Sequence, residues 1–276
     1  MSSTAPSRWR VLPVGLRGTL GGSPLLILRR GEKVLELVGV GVREMVGIGG
    51  IDLLRDLSFK LEAGDRTVLV GPSGAGKTTL LRLLNRLISP TMGQLYFRQQ
   101  AYGKIPVLEL RRQVVLVPQE PKLLGMRVQD AIAYPLQLQH LPPREIDQRV
   151  QVCCQSLRLP NEWRERTELQ LSQGQRQLVA IARALVMQPK VLVLDEPTSA
   201  LDFGLASHLL TVLGELDNTT ILMVNHQLDL ISSFAQRVLY LESGILREDL
   251  PANAVQWDQL RDRLRTQQEQ QQAEWE

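Results

Sequence analysis

The sequence predicts an α/β fold in which a parallel sheet is covered by helices. Short apolar runs recur along the chain, and runs of this kind are typical of parallel strands buried on both faces. They occupy residues 67–70, 114–117, 191–194, 220–224 and 237–241. Segments with apolar residues at helical intervals lie between them, and this alternation favours a parallel sheet. Five prolines between about 120 and 170 separate short helical stretches, which indicates a small helical subdomain inserted into the core.

Length, composition and charge narrow the class of protein. The 276 residues, 43% of them hydrophobic, suit one large α/β domain or two closely joined ones. The net charge of +3 is small and spread along the chain, which does not favour nucleic-acid binding. No apolar run approaches the roughly 20 residues of a membrane span, and prolines and glycines interrupt the N-terminal apolar residues, which argues against a signal peptide. Cys153 and Cys154 lack metal-binding spacing, so we expect core thiols in a reducing cytoplasm.

The organised domain is expected at residues 34–250, with the helical subdomain at about 120–178. Residues 1–32 are rich in Ser, Pro, Gly and Arg, which predicts a mobile tail. Strand character begins near residue 34, and a second strand is predicted at 57–61. The C-terminal tail at 251–276 is rich in Gln and charge, and is expected to be a solvated helix or disordered.

The most informative stretch connects the strand at 67–70 to the helix after it. It consists of Gly71, Pro72, Ser73, Gly74, Ala75, Gly76, Lys77, Thr78 and Thr79. Its glycines let the backbone curl so that successive N–H groups and the helix N-terminus point at phosphate oxygens. Lys77 can reach the β- and γ-phosphates, and the Thr78 hydroxyl can ligate Mg²⁺. The structural alternative is a glycine-rich turn that contains a lysine, and the strand–helix context favours nucleotide binding over it.

Polar residues follow other predicted strands at positions suited to nucleotide hydrolysis. Asp195 could hold the Mg²⁺, and Glu196 could accept a proton from an attacking water. Gln119 ends another strand, where its amide could contact Mg²⁺ or the water. His226 lies just past a strand end, where ligands of open α/β sheets bind, and could bridge the γ-phosphate and the water. Each could alone be a solvated strand-end residue, but the phosphate loop favours the catalytic interpretation.

A second helix start also offers free amide donors. Ser172 is a good N-cap for the helix that follows, and Gly174 lies in its first turn. The chain therefore has two anion-binding helix ends but only one obvious nucleotide. The simplest arrangement is a head-to-tail pair of chains, in which each nucleotide lies between one phosphate loop and the partner's Ser172 and Gly174.

The order of these motifs resembles the ATP-binding cassette of ABC transporters, over about residues 34–250. The matching parts are the phosphate loop, Gln119, residues 171–175, 191–196 and 199–202, and His226. The resemblance implies a P-loop NTPase (RecA-like) core, an N-terminal antiparallel β subdomain, and ATP and Mg²⁺ as ligands. It also implies a homodimer or paired cassette that hydrolyses ATP to drive a separate transmembrane permease. Such a subunit is expected in the cytoplasm, peripheral on the cytoplasmic face of the cell membrane, without nucleic acid.

The same resemblance implies a role for each matching residue. The implied catalytic residues are Glu196 as general base, His226 as switch residue and Gln119 as sensor of the transport partner. The implied Mg²⁺ ligands are Thr78, Gln119 and Asp195. Ser172 and Gly174 are implied to close on the neighbour's ATP. Gln175 is counted with them among the nucleotide-binding residues, and so is Asp202, which is implied to lie at the dimer seam.

The same resemblance indicates a cargo class and argues against other kinds of ABC protein. The stretch 121–139 and the short insert most resemble stand-alone subunits of metal or iron export, and a phosphate-import cassette is a weaker match. Soluble ABC ATPases of DNA repair or translation would carry a second cassette, a long coiled-coil insert or zinc cysteines, which this sequence does not show. A degenerate cassette that only binds ATP is disfavoured by Glu196 and His226.

The sequence departs from the family pattern at two places, and it also predicts a docking surface. Gln173 replaces the usual glycine, and residues 40–44 contain no aromatic that could stack on adenine. Leu123 and Leu124, next to Gln119, are expected to form an exposed apolar patch for the membrane partner. Leu136 is at least equally expected in the core of the insert.

Overall fold

The computed structural model describes residues 31–46 and 49–273, so nearly all of the expected N-terminal tail lies outside the described residues. The strands are β1 (Lys33–Val46), β2 (Gly49–Glu62), β3 (Arg66–Val70), β4 (Met92–Phe97), β5 (Gln100–Ala101), β6 (Val114–Val117), β7 (Val191–Asp195), β8 (Thr220–Val224), β9 (Arg237–Glu242) and β10 (Ile245–Pro251). The helices are α1 (Lys77–Leu84), α2 (Val107–Gln113), α3 (Val128–Gln137), α4 (Pro143–Ser156), α5 (Gln173–Leu185), α6 (Phe203–Gly214), α7 (Leu228–Ile231) and α8 (Trp257–Ala273).

A six-stranded sheet forms the centre of the fold, in the order β10-β9-β3-β8-β7-β6. Its strands from β9 to β6 pair in parallel, and β10 adds an antiparallel edge. The parallel strands coincide with the five apolar runs of the sequence, and β7 and β8 are buried along their whole length. The predicted parallel sheet is therefore confirmed. Parallel strands bring their carboxyl ends to one edge, so the loops after β3, β6, β7 and β8 start at the same edge.

A second sheet is antiparallel, in the order β2-β1-β4-β5. Helix α1 joins the two sheets in one core, because its Leu80 and Leu84 pack in the same cluster as Leu35 of β1 and Leu69 of β3. This is the N-terminal antiparallel subdomain that the family resemblance implies.

The inserted helical subdomain contains α3, α4 and the start of α5. Helix α5 packs on α3 and also on β6, so the expected boundary at residue 178 falls within one continuous helix. Cys153 and Cys154 are buried free thiols, as predicted. Burial raises the pKa of both thiols, which keeps them protonated.

The prediction that Leu123 is exposed is wrong. Leu123 is fully buried in the core of the insert, and its N–H donates to Glu168 Oε2 at 3.0 Å. Leu124 is 63% exposed, as predicted, and has a left-handed backbone with φ of 61°. The turn therefore sends two neighbouring leucines in opposite directions. Leu136 belongs to the core, which was the stated alternative.

The C-terminal segment is a helix over residues 257–273, which decides between the two expectations for that part of the tail. Leu260 is buried, and Trp257 and Leu264 on the same helical face pack against the core. The Arg263 guanidinium lies 4.3 Å from the centre of the Tyr240 ring. No helix within residues 31–46 and 49–273 is both long and apolar enough to span a membrane.

Candidate active site

The phosphate loop lies between β3 and α1, at the carboxyl edge of the parallel sheet. Two of its glycines are required by close backbone contacts. At Gly71, with φ of 154°, a Cβ would lie 2.0 Å from the Leu241 carbonyl oxygen, and at Gly76, with φ of 97°, it would lie 2.8 Å from the Leu53 carbonyl oxygen. Helix α1 begins at Lys77, and its first turn leaves backbone N–H groups without helical acceptors. The loop has the backbone geometry that anion binding requires.

Lys77 lies inside the loop that it follows. The residue is 8% exposed, and its Nζ donates to the carbonyl oxygens of Gly71 at 2.8 Å and Pro72 at 2.7 Å. Burial lowers the pKa of Lys77, while the charges of Glu196 and Asp195 oppose that shift. The ammonium group is thus held where a phosphate anion would relieve its desolvation.

Asp195 and Thr78 meet although they are far apart in sequence. The Thr78 hydroxyl donates to Asp195 Oδ2 at 2.9 Å, and Asp195 is 5% exposed at the end of β7. Burial raises the pKa of Asp195, and the Thr78 hydrogen bond partly offsets this. A hydroxyl and a carboxylate are hard oxygen donors of the kind that Mg²⁺ prefers, so these residues fit that ion. Within the described residues, no group of three or more His, Cys, Asp or Glu side chains is placed to hold a metal.

Glu196 is contacted from two neighbouring strand ends. The Gln119 amide Nε2 donates to Glu196 Oε2 at 3.1 Å, and His226 Nε2 lies 3.1 Å from Glu196 Oε1. Glu196 has a left-handed φ of 48°, which is uncommon for a residue with a side chain. Burial and the charge of Lys77 lower the pKa of His226, and Glu196 opposes the shift. A neutral imidazole that carries its proton on Nε2 can donate to the carboxylate. The predicted residues Gln119, Glu196 and His226 are therefore brought together.

The residues predicted to complete a partner's nucleotide site lie at the starts of α5 and α6. Ser172 Oγ accepts the Gln175 N–H at 3.2 Å, and Gln175 Oε1 accepts the Ser172 N–H at 3.0 Å, which confirms Ser172 as N-cap of α5. Asp202 caps α6, since its Oδ1 accepts the Leu205 N–H at 2.9 Å. Each of these hydrogen bonds stays within its own helix start, so none of them ties Ser172, Gln175 or Asp202 to the phosphate loop.

Gly174 and Gln173 differ sharply in the space around them. A Cβ on Gly174 would lie 2.4 Å from the Ala200 carbonyl oxygen and 3.2 Å from Leu201 Cδ2. Gln173 is exposed. The chain therefore keeps glycine where α5 touches the Ala200 turn, and carries a side chain at the neighbouring position that faces solvent.

Thr198 and Asn225 were missed by sequence reasoning. Both are buried polar residues, at 1% and 3% exposure, beside the Glu196 and His226 segments, and Asn225 Nδ2 donates to Thr198 Oγ1 at 2.8 Å. Their nearness to Glu196 and His226 in sequence was the available signal, but only the strand order shows that the two segments are neighbours.

Residues 54–199 match the protein-family model described as ABC transporter. The chain belongs to this family. It carries an ABC-type ATPase cassette, and the match includes the phosphate loop, Gln119, Ser172, Asp195 and Glu196. The fold and the motif order agree with the resemblance found in the sequence.

Curated relatives cover most of this cassette. The methionine import ATP-binding protein MetN of Cupriavidus metallidurans is 38% identical over 218 residues, 76% of this chain and 63% of the relative. The energy-coupling factor transporter ATP-binding protein EcfA of Methanothermobacter thermautotrophicus is 35% identical, over 71% of this chain and 65% of the relative. The phosphate import ATP-binding protein PstB 2 of Lactobacillus johnsonii is 39% identical, over 72% of this chain and 84% of the relative. The chain thus spans somewhat less than two thirds of the length of the first two relatives.

Solved structures share the same fold. The dimeric bacterial ABC transporter cassette MJ0796 superposes with a TM-score of 0.75 at 26% identity, over 80% of this cassette chain and all of that chain. CbiO1 of Clostridium perfringens, described as part of the ABC transporter complex cbiONQ, gives a TM-score of 0.71 at 25% identity, over 84% of this chain and 92% of that chain.

Proposed function

We propose that this chain binds ATP with Mg²⁺ and hydrolyses it to drive a separate membrane permease. The observation that carries the proposal is the meeting of Gln119, Glu196 and His226 beside the phosphate loop and the Thr78–Asp195 pair. These groups come from the ends of four neighbouring strands, at the edge where ligands of parallel sheets bind.

The loop backbone and Lys77 would hold the β- and γ-phosphates, because the N–H groups at the start of α1 and the ammonium group supply positive charge. Mg²⁺, held by Thr78, Asp195 and the amide oxygen of Gln119, would neutralise negative charge on the phosphate oxygens. Glu196 would accept the proton of the attacking water. His226, donating from Nε2, would fix the direction of that carboxylate.

The substitution Glu196→Gln tests the assignment of the base. It keeps the size of the side chain and one oxygen that can accept from Gln119 or His226, but it removes the basic carboxylate. ATP binding should remain, and steady-state turnover should fall at least about 10²-fold. Glu215→Gln, at an exposed position at the end of α6, is the matched control and should hydrolyse ATP normally. Turnover near the wild-type rate in Glu196→Gln would show that another group accepts the proton.

The second helix start is proposed to act in a head-to-tail dimer. Ser172, Gly174 and Gln175 would complete the partner's nucleotide site, and Asp202 would lie at the seam between chains. Two features support this. The capping hydrogen bonds of these residues stay at the starts of α5 and α6 and do not reach the phosphate loop of the same chain. A similar cassette has been solved as a dimer. Ser172→Arg combined with Glu196→Gln should abolish the ATP-dependent dimer in size-exclusion chromatography. A dimer of undiminished stability would refute the arrangement.

The permease is proposed to dock in a groove next to Gln119. The groove has a volume of about 260 Å³ and lies between the end of β6, α3 and α5. Its apolar rim includes Leu124 and Leu138, which are 63% and 54% exposed. The strand end at Val117 and Pro118 forms one wall, so an inserted segment would contact the residues that lead into Gln119.

The double change of Leu124 and Leu138 to Ser tests this groove. It should release the chain from the membrane fraction and leave nucleotide binding intact. The matched control changes Leu87 and Leu108, which are 52% and 72% exposed and lie outside the groove. Equal membrane association of both double variants would place the docking site elsewhere.

The direction of transport rests on the relatives alone. Two of their names refer to methionine import and phosphate import, which favours an importer, and the third names an energy-coupling factor transporter. The expected link to metal or iron export has no specific support among them. We therefore propose an import-type cassette, peripheral on the cytoplasmic face of the membrane. Binding of the chain to inverted membrane vesicles that hold its own permease, with the cytoplasmic face outward, would test the location.

A further inference from the structure

Thr198, Asn225 and Gln227 form a closed ring of three hydrogen bonds, two between side chains and one from a backbone N–H. Asn225 Nδ2 donates to Thr198 Oγ1 at 2.8 Å, and Thr198 Oγ1 donates to Gln227 Oε1 at 2.7 Å. The Gln227 backbone N–H closes the ring by donating to Asn225 Oδ1 at 2.8 Å. Thr198 and Asn225 are 1% and 3% exposed, so each hydrogen bond satisfies a group that water does not reach.

The ring connects the two segments that carry Glu196 and His226. Thr198 lies two residues after Glu196, in the loop that follows β7. Asn225 and Gln227 flank His226 on either side, in the loop that follows β8. The Glu196 N–H also donates to the Val224 carbonyl oxygen at 3.0 Å, which extends the pairing of β7 and β8 by one residue.

Glu196 needs such support because its backbone is in the left-handed region, with φ of 48°. A residue with a side chain stays in this region only when its surroundings hold it there. On one side, the Ser199 N–H and hydroxyl both bond to the Glu196 carbonyl oxygen, at 3.2 and 3.0 Å. On the other side, the ring fixes Thr198 against the loop of His226.

We propose that Thr198, Asn225 and Gln227 are positioning residues that set the distance between the Glu196 carboxylate and the His226 imidazole. The inference rests on the proposed function, in which Glu196 and His226 act on the attacking water. It assigns the ring no contact with nucleotide. Loss of the ring should therefore lower kcat and leave the phosphate loop, and with it the affinity for ATP, unchanged.

Thr198→Val is the central test, because it keeps the shape of the side chain and replaces the hydroxyl with a methyl group that cannot form hydrogen bonds. We expect kcat to fall at least about tenfold, with KM for ATP within about twofold of wild type. Thr198→Ser restores a hydroxyl and should recover most of the turnover. Thr219→Val is the matched control: Thr219 is also buried, but its hydroxyl bonds to the Pro189 carbonyl oxygen at the opposite end of β8. This control should lower thermal stability without lowering kcat.

A double-mutant cycle separates positioning from a general weakening of the fold. In a His226→Ala background, Thr198→Val should reduce turnover by less than about twofold more, since the partner to be aligned is already gone. A full tenfold loss in that background would overturn the proposal. Equal effects of Thr198→Val and Thr219→Val on kcat would overturn it as well.

A spectroscopic readout keeps the test independent of turnover. The chain has 3 histidines, so the His226 Nε2 resonance of the ¹⁵N-labelled protein can be assigned with His226→Ala. It should shift in Thr198→Val and return in Thr198→Ser, and an unchanged resonance would refute the ring's role. If Thr198→Val does not fold, Gln227→Leu at an exposed position removes the Oε1 acceptor and provides the same measurements. A wild-type chain without ATP hydrolysis would defeat the proposed function, while the resonance would still decide whether the ring positions His226.

Discussion

Gly174→Ala is expected to disturb the contact between α5 and the turn that follows Glu196. The added Cβ would lie 2.4 Å from the Ala200 carbonyl oxygen, which is backbone and has no rotamer that could move aside. Restoring an ordinary van der Waals distance requires α5 or the Ala200 turn to shift by roughly 1 Å. Both are held in place: Ser172 and Gln175 form the capping box of α5, and the Leu201 N–H donates to the Thr198 carbonyl oxygen at 3.1 Å.

Two opposing effects determine the size of the loss. Overpacking costs about 1–3 kcal/mol, and replacing glycine by alanine within a helix returns about 1 kcal/mol. The net destabilisation should be about 0–2 kcal/mol, so the variant should fold. Its turnover should suffer more, because a misplacement of roughly 1 Å can cost about 10²-fold. We expect a fall of about 10- to 100-fold in kcat.

The assay is steady-state ATP hydrolysis together with thermal unfolding and nucleotide titration. The matched control is Gln173→Ala at the neighbouring, exposed position, and Gln173→Gly should likewise change turnover only modestly. Nucleotide affinity of the single chain should be unaffected in all three variants, since Gly174 packs against the Ala200 turn and Gln173 is exposed. Wild-type turnover and wild-type stability in Gly174→Ala would refute the reasoning from this contact.

Three further outcomes follow from the site. Burial raises the Asp195 pKa above its ordinary value of 3.8, so the folded chain binds this proton more tightly and loses stability as the pH rises above about 3.8. Asp195→Asn should therefore raise the melting temperature of the nucleotide-free chain at pH 7 and abolish Mg²⁺-dependent turnover. A lower melting temperature would contradict this. Burial lowers the His226 pKa from 6.5, so the free energy of unfolding should fall as the pH drops below about 6.5. His226→Gln should flatten this pH dependence. Parallel plots of the free energy of unfolding against pH for the wild type and the variant would contradict it. Residues 40–44 include no aromatic side chain, and the exposed Arg43 pairs with Asp52 at 3.7 Å. The affinities for ATP and GTP should therefore differ by less than about tenfold, or about 1.4 kcal/mol, in a competition titration. A hundredfold preference for ATP would point to another residue that stacks on the base.

The parts of the fold that sequence predicted are those whose signals are local. The buried strands of the parallel sheet are continuous apolar runs, and the phosphate loop contains its glycines, Lys77 and Thr78 within nine consecutive residues. The antiparallel subdomain came only from the family resemblance. Its strand β1 changes register with β2 at four places, which breaks the alternation that marks a half-buried strand.

The failures concern contacts between distant segments. Leu123 and Leu124 are equally apolar, and their opposite exposure depends on the backbone turn at Leu124 and on Glu168, which is 45 residues away. The Thr198–Asn225 pair spans 27 residues and depends on β7 and β8 being neighbours in the sheet. No pattern within either segment specifies these contacts.

The ionisable groups of the site lie where burial disfavours their charged forms, and the apolar core supplies the stability that allows this. Burial shifts the pKa of Lys77, Asp195 and His226 toward the neutral form in each case. The strands that carry them are fixed by fully buried apolar residues, so the sheet does not depend on these polar groups for its stability. A nucleotide phosphate would bring negative charge to Lys77, and its cation would bring positive charge to Asp195, so both shifts would be relieved on binding. Nucleotide affinity and the stability of the free chain are therefore linked in opposite senses: removing one of these charges should stabilise the free chain and reduce the stabilisation that Mg²⁺ and ATP provide.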